Sequence, residues 1–122
     1  MGQEGNWGTG AIPRDKIIHV QLRSDPRGAI DYARIKHVSG DESMVWFLSQ
    51  KQDWAKLMGY SIHVAWMDEE GDNEKMYNQL LPRIATTNGI IMVTATPERG
   101  KTAIVKRFMD DQPEGTWYIH AA

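Results

Sequence analysis

The sequence predicts an α/β fold: a mostly parallel sheet flanked by helices, with an N-terminal β-hairpin. Three observations predict it. From residue 62 onward, apolar strand-like runs alternate with segments of helical period. The runs are nearly continuous in apolar residues, as in strands covered on both faces. Upstream, shorter segments alternate or cluster apolar residues between turn signals.

The elements follow in chain order. Residues 1–16 hold four Gly, one Pro and few apolar side chains, and read as a flexible arm ahead of a single domain over 17–122. Ile18, Val20 and Leu22 alternate with His19, Gln21 and Arg23, a half-buried strand. Ser24-Asp25-Pro26-Arg27-Gly28 is a turn. Residues 29–38, with Ile30, Tyr32, Ile35 and Val38, and residues 44–48 form two strands around Ser39-Gly40-Asp41-Glu42, a hairpin. Ser49 and Gln52 have capping-box spacing, so a helix carrying Trp54, Leu57 and Met58 begins there and stops at Gly59. Residues 62–67 form an apolar strand ending on Asp68-Glu69-Glu70. A helix from about Asn73 aligns Met76, Tyr77, Leu80, Leu81 and Ile84, and Pro82 should kink or divide it. Residues 90–93 form a short buried strand ending in Thr94-Ala95-Thr96-Pro97. Residues 101–109 are helical, and residues 116–120 make a last strand after the Gln112–Gly115 turn.

Composition excludes several function classes. The 122 residues carry 14 Lys+Arg against 16 Asp+Glu, a net charge of −2, so no basic nucleic-acid footprint is visible. Apolar residues are 41% and charged residues 25%, ordinary for a globular domain. The absence of Cys removes disulfide scaffolds, thiolate-bound metals and thiol nucleophiles. No apolar run approaches the roughly 18 residues of a membrane span, and the N-terminus has neither the pattern of a signal peptide nor that of a myristoylation site. The histidines at 19, 37, 63 and 120 lack metal spacing. The tryptophans at 7, 46, 54, 66 and 117 lie mostly in apolar strands or helix faces and read as core.

Two constellations carry candidate chemistry. In Ile62-His63-Val64-Ala65-Trp66-Met67-Asp68-Glu69-Glu70, Asp68 stands where nucleotide hydrolases hold Mg²⁺, and Glu69 where a carboxylate orients and deprotonates water. The same residues also suit an acidic loop that favours the N-terminus of the next helix. In Ala95-Thr96-Pro97-Glu98-Arg99-Gly100-Lys101-Thr102, a phosphate-loop pattern is met if Ala95 replaces the first Gly. Gly100, Lys101 and Thr102 would then bind nucleotide. The first Gly is missing, Pro97 cannot donate an N–H and the loop follows the acidic strand, so a polar loop capping a helix fits better.

The order of segments adds a resemblance. Gly8-Thr9-Gly10-Ala11-Ile12-Pro13, Ala33-Arg34-Ile35-Lys36-His37-Val38-Ser39-Gly40, Phe47-Leu48-Ser49, Val64-Ala65-Trp66-Met67-Asp68-Glu69-Glu70 and Thr87-Asn88-Gly89-Ile90-Ile91-Met92-Val93-Thr94-Ala95-Thr96-Pro97 follow one another in register. Together they resemble the ATPase domain of phage terminase large subunits, the DNA-packaging motors of tailed phages and prophages. The resemblance implies a partial P-loop-NTPase core, with Asp68 as the metal-binding acid of the second Walker motif and Glu69 as the catalytic carboxylate. It makes Thr94, Ala95 and Thr96 a coupling motif linking hydrolysis to movement. It implies ATP and Mg²⁺ as cofactors of the intact family. Other terminase subunits, the portal protein and double-stranded DNA are its partners, in the cytoplasm of a bacterial host.

The family's phosphate loop precedes all these segments, and no G-x-x-x-x-G-K-[ST] occurs in the 122 residues. The chain is therefore expected to be a middle piece of such an ATPase, without the phosphate loop or the nuclease domain, and inactive alone. In the resembled fold the phosphate-loop strand lies between the strand at 90–95 and the one at 116–120. Without it, either 116–120 closes onto 90–95 or an apolar edge stays open. An open edge at Ile90-Ile91-Met92-Val93, with no charge or Pro to blunt it, predicts homo-oligomers, with residues 1–16 available to cross over. The alternatives are a small nucleotide-binding protein using residues 95–102 as its phosphate loop, and a non-enzymatic interaction module that keeps the fold.

Overall fold

The computed structural model describes residues 7–49, 57, 59–68, 74–96, 100 and 102–120. The chain divides into two compact units, Met1–Ser49 and Gln50–Ala122.

The first unit is a three-stranded antiparallel meander, β1 (Ile17–Leu22), β2 (Ile30–Lys36) and β3 (Glu42–Trp46), in that order. The connections are too short for parallel crossovers, so each strand folds back on the one before it. The first turn is closed by Asp25, whose side chain accepts from the Arg27 N–H at 3.0 Å. The second needs Gly40 at φ +94, a left-handed position that a Cβ would strain. The predicted hairpin is thus β2–β3, with β1 added on its other side. Ala33 at the centre of the middle strand is fully buried. Tyr32 joins the strands on one face, its ring centroid 4.9 Å from Trp46 and 6.1 Å from His19. Arg34 grips Glu42 through two hydrogen bonds of 2.8 and 3.0 Å.

Ahead of β1, residues Arg14–Lys16 form a 3-10 turn. Gly8, at φ +92, approaches Arg14 so closely that a Cβ would lie 2.4 Å from its backbone. The described part of the expected arm therefore makes a specific backbone contact.

The second unit is built on β4 (Val64–Asp68), α1 (Glu74–Ala85) and β5 (Ile90–Thr94). The two strands pair in parallel and in register, from Val64 opposite Ile90 to Asp68 opposite Thr94. Met76, Tyr77, Leu80 and Ile84 are buried, as the helical period predicts, Leu81 of the same stripe is half-buried, and Met67, Leu57 and Ile104 complete this core. Tyr77 meets Phe108 edge-on at 5.9 Å, and the Arg107 guanidinium lies 5.1 Å above the Tyr77 ring. The turn out of α1 is set by Asn88 at φ +52 and by the Gly89 N–H, which bonds the Ile84 carbonyl at 3.0 Å. Gly89 also passes under the His63 carbonyl, where a Cβ would sit 2.3 Å from the oxygen.

Several expectations are corrected. Among the described residues the parallel sheet has two strands and the antiparallel sheet three, so the described sheet structure is α/β without being mostly parallel, and these strands by themselves do not show a P-loop-NTPase-like core. The stretch 116–120 is coil: among the described residues no strand pairs with it, and Trp117 and Ile119 remain exposed. Strand 90–94 is not fully buried. Its residues alternate, and Ile90 and Met92 are exposed because only one face of the sheet packs on α1. Pro82 does not divide α1, which runs through it to Ala85. A proline one turn from the end forfeits a single bond, and the apolar face on both sides keeps the helix docked. The helix expected over 101–109 starts after Thr102 as α2 (Ala103–Lys106) and widens into a π-helical turn over Arg107–Asp111. The helix expected from Ser49 lies mostly outside the described residues. No described helix is long and apolar enough to cross a membrane.

Candidate functional site

The C-terminal ends of β4 and β5 bring two candidate residues together. Side chains in a strand alternate between faces, so Val64, Trp66 and Asp68 share one face of β4, and Ile90, Met92 and Thr94 the same face of β5. That face lies opposite α1 and is open to solvent. At its C-terminal end the Thr94 hydroxyl donates to Asp68 Oδ1 at 2.8 Å, and the Trp66 indole N–H donates to Thr94 Oγ1 at 2.8 Å. The strands ending at residues 67 and 93 are thus neighbours, and the acid stands beside the first residue of the Thr-Ala-Thr segment, as the sequence order implied. Ala95 and Thr96 continue past the strand as exposed coil. Glu69 lies outside the described residues.

The alternative loop is covered in part. Pro97 to Arg99 and Lys101 fall outside the described residues. Gly100 takes φ +78, and the Thr102 side chain caps α2 by accepting from the Val105 N–H at 3.4 Å. That cap opens a helical segment that runs through α2 and on into the π-helical turn ending at Asp111.

Asp68 and Thr94 offer hard oxygens at an exposed strand end. Mg²⁺ is typically held by one or two carboxylates together with waters and phosphate oxygens. One aspartate whose Oδ1 is steadied by a hydroxyl, with Oδ2 outside that bond, fits this donor set. No group of three or more His, Cys, Asp or Glu residues suited to a metal occurs among the described residues.

Trp66 is the residue that sequence reading placed in the core and the structure places at the site. It is 63% exposed. The available signal was its spacing: two residues before Asp68 on a strand, hence on the same face.

The family profile described as terminase large subunit, T4likevirus-type, N-terminal, matches residues 1–118. The large terminase subunit of Salmonella phage P22 is 28% identical over 107 residues, which cover 84% of this chain and 21% of that protein. The chain therefore spans about a fifth of the length of that curated relative. No solved structure matches the chain. With a match that runs over nearly its whole length, this chain belongs to the family of terminase large-subunit N-terminal domains.

Proposed function

We propose that this chain supplies the acidic strand end and the coupling segment of an ATP-driven DNA-packaging motor that works in the cytoplasm of a bacterial host. The observation that carries the reading is the hydrogen bond joining Asp68 to Thr94 at the ends of two adjacent parallel strands. Ligands of open α/β sheets sit outside the C-terminal ends of the strands. In this reading Asp68 presents a carboxylate oxygen toward Mg²⁺, and Glu69 orients the attacking water and takes its proton. Thr94 touches the acid directly, and Ala95 and Thr96 carry its state into the chain beyond β5. When bound, the metal neutralises charge developing on the phosphate oxygens. Double-stranded DNA, other terminase subunits and the portal protein are the partners of the assembled motor. Further copies of this chain would add at the open edges of β4 and β5.

Residues 95–102 as a self-contained phosphate loop are less well supported. The Thr102 side chain is occupied in capping the helix that follows it, whereas Asp68 and Thr94 already stand together. Titration of the full chain with Mg²⁺ and ATP decides between them. Binding lost in Asp68→Ala and kept in Lys101→Ala is the expected result. Loss only in Lys101→Ala transfers the site to the 95–102 loop. A melting temperature indifferent to Mg²⁺ and nucleotide makes the chain a non-enzymatic module.

A further inference from the structure

We infer that Trp66 is a positioning residue for Asp68, acting through the Thr94 hydroxyl, and that its indole N–H senses a divalent cation at that carboxylate. The inference rests on the reading of Asp68 as a cation ligand.

The argument starts from the register. Trp66 lies opposite Met92, and Asp68 opposite Thr94. Trp66 and Thr94 are therefore diagonal neighbours on one face, a separation that an indole bridges and a smaller side chain does not. The direction of the hydrogen bonds follows from proton counting. Indole Nε1 is a donor only, and a threonine hydroxyl has one proton. With Trp66 donating to Thr94 Oγ1 at 2.8 Å, the single Thr94 proton is left for Asp68 Oδ1, also 2.8 Å away. The order Trp66 to Thr94 to Asp68 is the one assignment that satisfies both contacts. Each bond polarises the next, so the indole strengthens the hydroxyl as a donor.

Packing does not account for the tryptophan. It is 63% exposed, and Val64 and Ile90 beside it on this face are 64% and 65% exposed. What holds the ring is the bond from its nitrogen. Donation to Oδ1 fixes the plane of the Asp68 carboxylate and leaves the outward presentation of Oδ2 to that plane. Without the indole, the Thr94 hydroxyl is free to rotate away, and the carboxylate turns about its last bond. A cation that draws on Asp68 weakens or re-aims the Thr94 bond, and the change reaches the indole N–H one step later.

Titrating the ¹⁵N-labelled full chain with Mg²⁺, while following the indole N–H resonances, tests the inference. Trp66→Phe identifies the Trp66 signal and keeps an aromatic ring without the N–H. The expected result is that Mg²⁺ shifts the Trp66 indole signal and that Trp66→Phe weakens Mg²⁺ binding about fivefold, the scale of one hydrogen bond. Thr94→Val should weaken binding equally and add nothing to Trp66→Phe, since both break one chain. Thr94→Ser should restore it. Melting temperatures of these exposed-site variants check the fold separately. If Asp68→Ala abolishes binding while Trp66→Phe stays within about twofold of the parent, the positioning role is overturned and the reading of Asp68 stands. If Asp68→Ala leaves Mg²⁺ binding intact, that reading fails and takes the cation sensing with it. An indole signal unmoved by Thr94→Val overturns the hydrogen-bond chain itself.

Discussion

At the residue scale, the chemistry of this domain depends on which side chain donates to which. Arg34 and Glu42 show this away from the site. The Glu42 carboxyl is held below its ordinary value first by the Arg34 hydrogen bond, with the guanidinium charge acting in the same direction. A carboxyl depressed in the folded state favours folding above the ordinary carboxylate range. That contribution is lost as pH falls through the depressed value. Arg34→Met should therefore return the Glu42 titration, followed by NMR, to the ordinary range. Its melting temperature at neutral pH should barely move, because the pair is exposed. A Glu42 titration untouched by the substitution would show that the bidentate contact does not persist in solution.

At the scale of elements, α1 and the turn that follows it hold β5 against β4. Leu80 lies on the buried face of α1, and Leu80→Ala should cost about 2–4 kcal/mol in a denaturant titration. Gly89 is a sharper test. Its missing Cβ is what allows β5 to start beneath the His63 carbonyl, which also accepts the Ile90 N–H at 2.9 Å. Gly89→Ala should destabilise by more than about 2 kcal/mol, since either backbone shift breaks the first bond of the parallel ladder. A neutral Gly89→Ala would mean that the strands start further apart. The helical period showed which face of α1 would be buried, and Pro82 was the one misleading signal. The fate of residues 116–120 was not legible, because a strand exists only when a neighbour accepts its hydrogen bonds.

At the scale of the whole molecule, the second unit leaves apolar surface exposed, and among the described residues β4 and β5 pair only with each other. Val64, Trp66, Ile90 and Met92 form one bare face, and Trp117 and Ile119 lie exposed in coil. Contiguous apolar surface of this kind, beside open strand edges, favours association. Light scattering at low micromolar concentration should find self-association, and Ile90→Lys should reduce it. A clean monomer would show that these edges are protected in solution. The purified 122-residue chain should also turn over ATP negligibly, because no G-x-x-x-x-G-K-[ST] is present to hold the phosphates beside Asp68. Robust turnover abolished by Glu69→Gln would place a phosphate site elsewhere in these residues.

The sequence by itself determined the α/β character, the antiparallel hairpin, the buried stripe of α1 and the pairing of the acidic strand end with the Thr-Ala-Thr segment. These follow from local periodicity, turn residues and motif order, all of which are written along the chain. Only the tertiary structure decided that the parallel sheet holds two strands among the described residues, that one of its faces is bare, and that residues 116–120 stay unpaired. It alone decided that Trp66 leaves the core to bond Thr94. Each of these depends on which neighbour lies across a strand, a long-range relation that period and composition do not encode. Residues 64–67 and 90–93 are continuous in apolar side chains, the pattern of strands covered on both faces, and yet one face of each is bare: the run shows what could be buried and not which element covers it.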